Sequence, residues 1–174
     1  MANSRQLGLI EEIVKLCDTA SIPCWLRGGW ATDFFLGRVT REHDDIDLFV
    51  WAEDAVRLVH ELERAGFVEQ GGPPPEAQRD FTKDGEQVQA ALLARNQWDQ
   101  VVVAGGPATG TPWPDDMLAS ITGRIGDVVC PIVNPRVQMW IKEQFPIWRP
   151  DVLPSAKHQA DVARLREALA HTEG

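Results

Sequence analysis

Tyrosine is absent from the 174 residues, and no apolar run approaches the roughly 18 consecutive residues that a membrane span requires. Cysteine is scarce. Cys17, Cys24 and Cys130 are scattered, odd in number and without C-x-x-C spacing, which argues against a disulfide framework or a zinc site and leaves three small buried hydrophobes. Met1-Ala2-Asn3-Ser4-Arg5 leads into a segment interrupted by Glu11 and Glu12, so the apolar core of a signal peptide is lacking and a reduced cytoplasm is the expected location. Basic charge is also short. With 17 Lys and Arg against 26 Asp and Glu, the net charge of -9 opposes binding to a nucleic-acid backbone. Neither a nucleic acid nor a membrane is expected as a partner, and a cationic small molecule or a metal-nucleotide is better matched.

Seven tryptophans take the place of the missing tyrosines. Most belong in core or rim packing. Trp30, Trp98, Trp113 and Trp148 are candidates to line a cleft, and Trp113, held between two prolines, is the foremost of them.

The hydrophobic and charged fractions, 44% and 25%, are those of an ordinary folded chain, and the length suits one domain over residues 1–174. Its core is expected over about 1–104 and a C-terminal portion over about 115–174. Leu9, Ile10, Ile13, Val14 and Cys17 recur at helical spacing and predict a first helix ending near Ser21-Ile22-Pro23. Cys24-Trp25-Leu26 reads as a strand, Trp30 to Leu36 as a helix stopped by Gly37, and Ile46 to Trp51 as a second strand. Ala55, Leu58, Val59, Leu62 and Ala65 return to helical period before Gly66, and Phe67-Val68-Glu69 reads as a third strand. Asp84-Gly85 between Arg79–Lys83 and Glu86–Leu93 predicts a hairpin with a type I′ turn. Val101–Val103 is a further strand, followed by a glycine- and proline-rich connection over 105–114 that marks a subdomain boundary. Arg124-Ile125 and Val128–Cys130 flank Gly126-Asp127 as a small hairpin. Asn134-Pro135 starts a helix running to about Gln144. Pro146, Pro150 and Pro154 interrupt the next stretch, and a last helix begins near Ser155.

The chemistry concentrates in Arg27-Gly28-Gly29-Trp30 and His43-Asp44-Asp45-Ile46-Asp47-Leu48. Residues two apart on a strand share a face, so Asp45 and Asp47 project together while Ile46 and Leu48 turn into the core. Two such carboxylates repel unless a cation lies between them, and Mg²⁺ takes one or two carboxylates completed by phosphates and waters. A Gly-Gly pair alone is most simply a tight turn. Between a strand and a helix, about sixteen residues before Asp-x-Asp, Gly28 and Gly29 allow a phosphate to approach the backbone at a helix N-terminus.

Over Trp25-Leu26, Gly28-Gly29-Trp30-Ala31, Asp33, Leu36–Arg41 and His43–Leu48 the chain resembles the nucleotidyltransferase superfamily. Within it the match is to the small antibiotic-modifying branch of aminoglycoside 2″-nucleotidyltransferases and lincosamide nucleotidyltransferases. The resemblance is dense over the first third and loose beyond. It implies an α/β (α+β) fold, a mixed twisted sheet flanked by helices with a helical C-terminal portion. It also implies Mg²⁺ on Asp45 and Asp47, triphosphate beside Gly28 and Gly29, and transfer of a nucleoside monophosphate from ATP or another nucleoside triphosphate to a small hydroxylated acceptor with release of pyrophosphate.

Arg41 suits bidentate contact with phosphate, with a solvated surface position as the alternative. His43 either orders the metal-binding strand or meets substrate, and Asp33 fixes the Arg38–Arg41 loop. Asp44 caps the turn. Lys142 and Lys157 are placed by the resemblance among basic groups that approach the phosphates, with exposed lysines as the alternative.

One departure is plain. Active relatives carry a third carboxylate on a later strand, where this chain has Gln89 or Ala90; Glu86 reaches the place only through a slip of register. A neutral amide takes no proton. The alternative to an enzyme is therefore a noncatalytic or repurposed member that binds a ligand or partner.

Overall fold

The structure is a computed structural model and describes residues 2–153 and 155–172. Helix α1 (Ala2–Ala20) buries Leu9, Ile10, Ile13 and Cys17, the stripe expected from their spacing. Strand β1 (Cys24–Arg27) runs directly into α2 (Gly28–Leu36), which ends where Gly37 adopts φ 74°. Strand β2 (Asp45–Trp51) is followed by α3 (Ala55–Arg64) and the short β3 (Val68–Gln70). Next come β4 (Gln78–Lys83), β5 (Glu86–Arg95) and β6 (Val101–Val103). Strands β7 (Thr122–Ile125) and β8 (Val128–Pro131) form a separate hairpin before α4 (Pro135–Trp148) and α5 (Ala156–Thr172).

The main sheet has the order β1-β2-β5-β4-β3, with β6 added to β5. Among its strands only β2 and β5 run parallel, so the sheet is mixed. Strand alternation divides it sharply. Ile46, Leu48, Val50, Phe81, Val88, Ala90 and Leu92 form one core with Ile13 of α1 and Leu58 and Leu62 of α3. On the other face, Phe49 and Leu93 pack with Met117, Val133 and Val137 in a second cluster. That cluster covers one end of the face. The other end, which carries Asp45 and Asp47, opens into a cleft.

Asp84 and Gly85 have φ 53° and 79°, positive at both centres as a type I′ turn demands. Asn134 caps α4 by accepting the Arg136 N–H, with Pro135 at the first helical position. Three expectations need adjustment. The third strand omits Phe67, which turns into the core. Helix α4 continues past Gln144 and through Pro146, because a proline in the last turn forgoes a single hydrogen bond and Arg149 N–H still closes on Phe145 O at 2.9 Å. The 105–114 connection is not a free linker: Gly110 N–H donates to Val103 O at 2.8 Å and Trp113 N–H to Val101 O at 2.9 Å. Pro154 lies outside the described residues.

Candidate active site

The parallel register pairs Asp45 with Gln87 and Asp47 with Gln89, which fixes the open end of the sheet as one wall of the cleft. The cleft has a volume of about 420 Å³. Burial, the neighbouring Asp47 and Asp44 raise the Asp45 carboxyl to about 6. Its nearest compensation is modest, since Arg27 stands 3.8 Å from Asp47 and leans over the Phe49 ring. Two half-buried carboxylates with so little positive charge between them form a site short of a cation.

The glycines are required by geometry. Gly28 has φ +71°, and a Cβ there would lie 2.6 Å from Asp47 Oδ2. A Cβ on Gly29 would strike the Arg41 guanidinium and the His43 ring. The N-terminus of α2 therefore lies against the Asp47 carboxylate with nothing but backbone between. Asp33, fully buried on α2, accepts from Thr40 N–H at 3.0 Å and Thr40 Oγ1–H at 2.5 Å, and its carboxylate is 2.7 Å from His43 Nε2. His43 also stacks on Trp30. Asp33 thus pins the loop from Thr40 to His43, as its place in the sequence suggests.

The opposite wall comes from α4 and α5. Asp161 is 1% exposed and accepts from Arg41 Nε at 3.2 Å, Arg41 Nη2 at 2.8 Å and Lys142 Nζ at 3.0 Å. Burial opposes its ionisation, but the Arg41 and Lys142 hydrogen bonds and charges outweigh that cost and hold the carboxyl below its usual range. Burial lowers the Lys142 ammonium, with Asp161 pulling the other way. Lys157 reaches across the mouth to Asp44 at 2.7 Å, and that hydrogen bond depresses the Asp44 carboxyl. Asp44 is therefore the partner of a lysine on α5 rather than a turn cap. Desolvation and then Lys142 lower the pKa of His158, which is half-buried.

The cleft gathers Gly28, Gly29, Arg41, His43, Asp45, Asp47, Lys142 and Lys157. It excludes Glu86 and Trp113. Glu86 shares strand parity with Val88 and Ala90, points to the α1 side, and is held there by Gln6 Nε2 at 2.7 Å and Arg5 Nη1 at 3.2 Å. Trp113 packs on Phe49 in the second cluster and edge-on against the exposed Trp148, outside the cleft lining. Gln89, not Ala90, faces Asp47; Ala90 is in the core.

Gln138 and His158, which line the cleft, and Asp161, which holds Arg41 and Lys142 from behind it, are residues that the sequence reading does not single out. Gln138, 2% exposed, donates from Nε2 to Gly28 O at 3.2 Å, and its Oε1 has no hydrogen-bond partner among the described residues. That hydrogen bond fixes the amide's orientation and leaves an acceptor atom beside the cleft. The polar pair Lys157-His158 at the start of α5 is a signal for His158; nothing local marks Gln138.

A mixed sheet with paired carboxylates on one strand, a glycine-started helix beside them and a helical C-terminal wall define the nucleotidyltransferase fold. The model of the aminoglycoside-2″-adenylyltransferase family matches residues 9–143, and the chain belongs to that family. A 2″-aminoglycoside nucleotidyltransferase of Klebsiella pneumoniae is 52% identical over 46 residues, 26% of this chain and 26% of that protein. A lincosamide resistance protein of Staphylococcus haemolyticus is 34% identical over 55 residues, 32% of this chain and 34% of that protein. The chain thus matches only a quarter to a third of the length of these curated relatives. Among solved structures, ANT(2″)-Ia in complex with adenylyl-2″-tobramycin aligns with a TM-score of 0.77 and 22% identity over 97% of this chain and 92% of that one. Lincomycin-bound LnuA aligns with a TM-score of 0.72 and 18% identity over 90% and 94%. At those identities the structural likeness is one of fold.

Proposed function

We propose that this protein transfers a nucleoside monophosphate from a nucleoside triphosphate, ATP in the first instance, to a hydroxyl of a small antibiotic of the aminoglycoside or lincosamide kind. The observation that carries this reading is the convergence of Asp45, Asp47, the Gly28–Gly29 backbone and the cationic Arg27, Arg41, Lys142 and Lys157 on one cleft. The family and the ligands named for its structural neighbours point to the same chemistry.

The residues fit Mg²⁺. Asp45 and Asp47 share a strand face, Asp47 raises the proton affinity of Asp45, and a divalent ion removes that repulsion. Among the described residues no third His, Cys, Asp or Glu joins them, which suits an ion that completes its shell with phosphates and waters. When bound, the ion neutralises charge on the attacked phosphate and aligns the displacement. Gly28 and Gly29 receive the triphosphate at the N-terminus of α2. Arg41, Lys142 and Lys157 supply positive charge along its length, exchanging Asp161 and Asp44 for phosphate oxygens. A protein of this kind works where nucleoside triphosphates are abundant, in the cytoplasm.

The test is pyrophosphate release on incubation with Mg²⁺, each of several nucleoside triphosphates and a panel of aminoglycosides and lincosamides. Product that depends on both metal and acceptor supports the reading. Gln89 favours a second reading, a member that binds metal-nucleotide without turnover. Calorimetric binding of nucleotide with Mg²⁺ and no pyrophosphate from any acceptor would select it.

A further inference from the structure

Nucleotidyl transfer requires that the acceptor hydroxyl lose its proton, and the obvious groups in the cleft are committed elsewhere. Asp45 and Asp47 are taken by the metal in the proposed function, on which this inference rests. His43 is tied to Asp33 and stacked on Trp30. Glu86 is on the far side of the sheet. Asp161 is enclosed by Arg41 and Lys142, and His158 packs edge-on against Phe145 on the α4–α5 wall, across the cleft from Gln89. Gln89, directly opposite Asp47, accepts no proton.

The next strand supplies a carboxylate. The register pairs Asp47 with Gln89 and Gln89 with Asp80, so Asp47, Gln89 and Asp80 form one row across β2, β5 and β4 on the same face of the sheet. Adjacent strands lie about 4.8 Å apart. A hydroxyl seated over Gln89 therefore has Asp47 on one side and Asp80 on the other, within reach directly or through one water. Asp80 is only half-buried, and Gln78 Nε2 donates to its Oδ1 at 2.8 Å, which orients the carboxylate and leaves Oδ2 without a donor among the described residues. Around it the exposed sheet face carries Gln70, Thr82 and Gln87, amides and a hydroxyl suited to a polyhydroxylated molecule.

We propose that Asp80 is the general base for the acceptor, standing one strand further out than Gln89. The acceptor oxygen attacks the α-phosphorus and its O–H bond breaks, the proton passing to the Asp80 carboxylate. The bond from phosphorus to the β-phosphate oxygen breaks with it, and the electron pair leaves on pyrophosphate. Asp80 then returns the proton to water.

The experiment measures pyrophosphate release at saturating Mg²⁺-nucleotide against acceptor concentration. It compares wild-type protein, Asp80→Asn, Asp80→Glu and the double variant Asp80→Asn/Gln89→Asp. Loss of a general base lowers kcat by about 10²- to 10⁴-fold. Asp80→Asn is expected to show that loss with an unchanged acceptor KM and an unchanged thermal midpoint. Asp80→Glu recovers part of the rate, and the double variant, which returns a carboxylate to the row, recovers more. An Asp80→Asn protein that keeps wild-type kcat overturns the assignment, as does a loss expressed wholly in KM, the mark of a residue that only binds. Wild-type protein that yields no pyrophosphate with any acceptor fails one step earlier and overturns the proposed function together with the base.

Discussion

The two faces of the β2–β5 pair are made of alternate residues on the same strands, yet they do opposite work. On one face Ile46, Leu48, Val88 and Ala90 are all within 1% of full burial and belong to the apolar core. On the other, one residue along, Asp45, Asp47 and Gln89 meet solvent and one another across an incomplete set of charges. The first face stabilises the fold and carries polarity only where it is paired, as Glu86 is with Gln6 and Arg5 at its edge. The second holds a like-charge pair that the fold must support at a cost. Strand alternation lets both exist on a single layer of backbone without either intruding on the other.

The largest test of that division sets a core change against a cleft change. Leu48→Ala, at a site 1% exposed, is expected to lower stability by about 2–5 kcal/mol in denaturant melts while any folded fraction keeps its catalytic constants. Asp47→Asn is expected to do the reverse, lowering kcat by more than about 10²-fold with the melting midpoint in the absence of divalent ions held or raised, since removal of one group that stabilises transition-state charge is typically worth that much. If Asp47→Asn unfolds the protein instead, the separation of the faces is wrong.

Gly28→Ala tests how tightly the helix start is fitted to the carboxylates. With φ +71° and a Cβ position 2.6 Å from Asp47 Oδ2, the alanine is expected to cost about 1–2 kcal/mol of stability and to displace Asp47, raising the Mg²⁺ requirement in the pyrophosphate assay.

A smaller effect concerns pH. Asp45 binds its proton more tightly in the folded chain, at about 6, than at its ordinary 3.8, so its stabilising contribution is complete below about pH 4 and lost as pH rises through 6. In the absence of divalent ions, Asp45→Asn is therefore expected to raise stability at pH 7 by about 1–2 kcal/mol and leave it unchanged near pH 4. That figure is smaller than the full shift would give, because solvent reaches the carboxylate and screens its repulsion. Mg²⁺ added to wild-type protein is expected to raise the melting temperature at pH 7 but not at pH 4. Thermal scans at the two pH values, with and without the ion, check both signs.

The smallest effect is assigned to Gln138. Gln138→Leu removes the bond to Gly28 O and the acceptor Oε1 together, and is expected to raise KM for nucleotide or acceptor by about tenfold, the equivalent of a single neutral hydrogen bond of about 1.4 kcal/mol.

How much of this is legible in the sequence depends on how local each signal is. The helices, the type I′ turn at Asp84-Gly85 and the shared face of Asp45 and Asp47 depend on neighbours a few positions apart, and periodicity reports those directly. Asp33 is assignable to the loop after α2 for the same reason, seven residues from Thr40. Glu86 is open to the same argument, since its parity with Val88 places it on the core face; the prospect of a slipped register obscures it. The prolines flanking Trp113 suggest a ring presented to a ligand, but nothing in them encodes its contact with Phe49. Asp161, Gln138 and Asp80 gain their positions only through strand register and helix docking, and no spacing in the chain encodes either.

The bond between Arg41 and Asp161 joins positions 120 residues apart. Translation delivers the glycine turn and both strand carboxylates well before the anion that positions Arg41 and Lys142, which arrives only with α5. Until the ribosome has released that helix, the basic side of the cleft has no anchor, so a nascent chain owns half a site long before it owns a whole one.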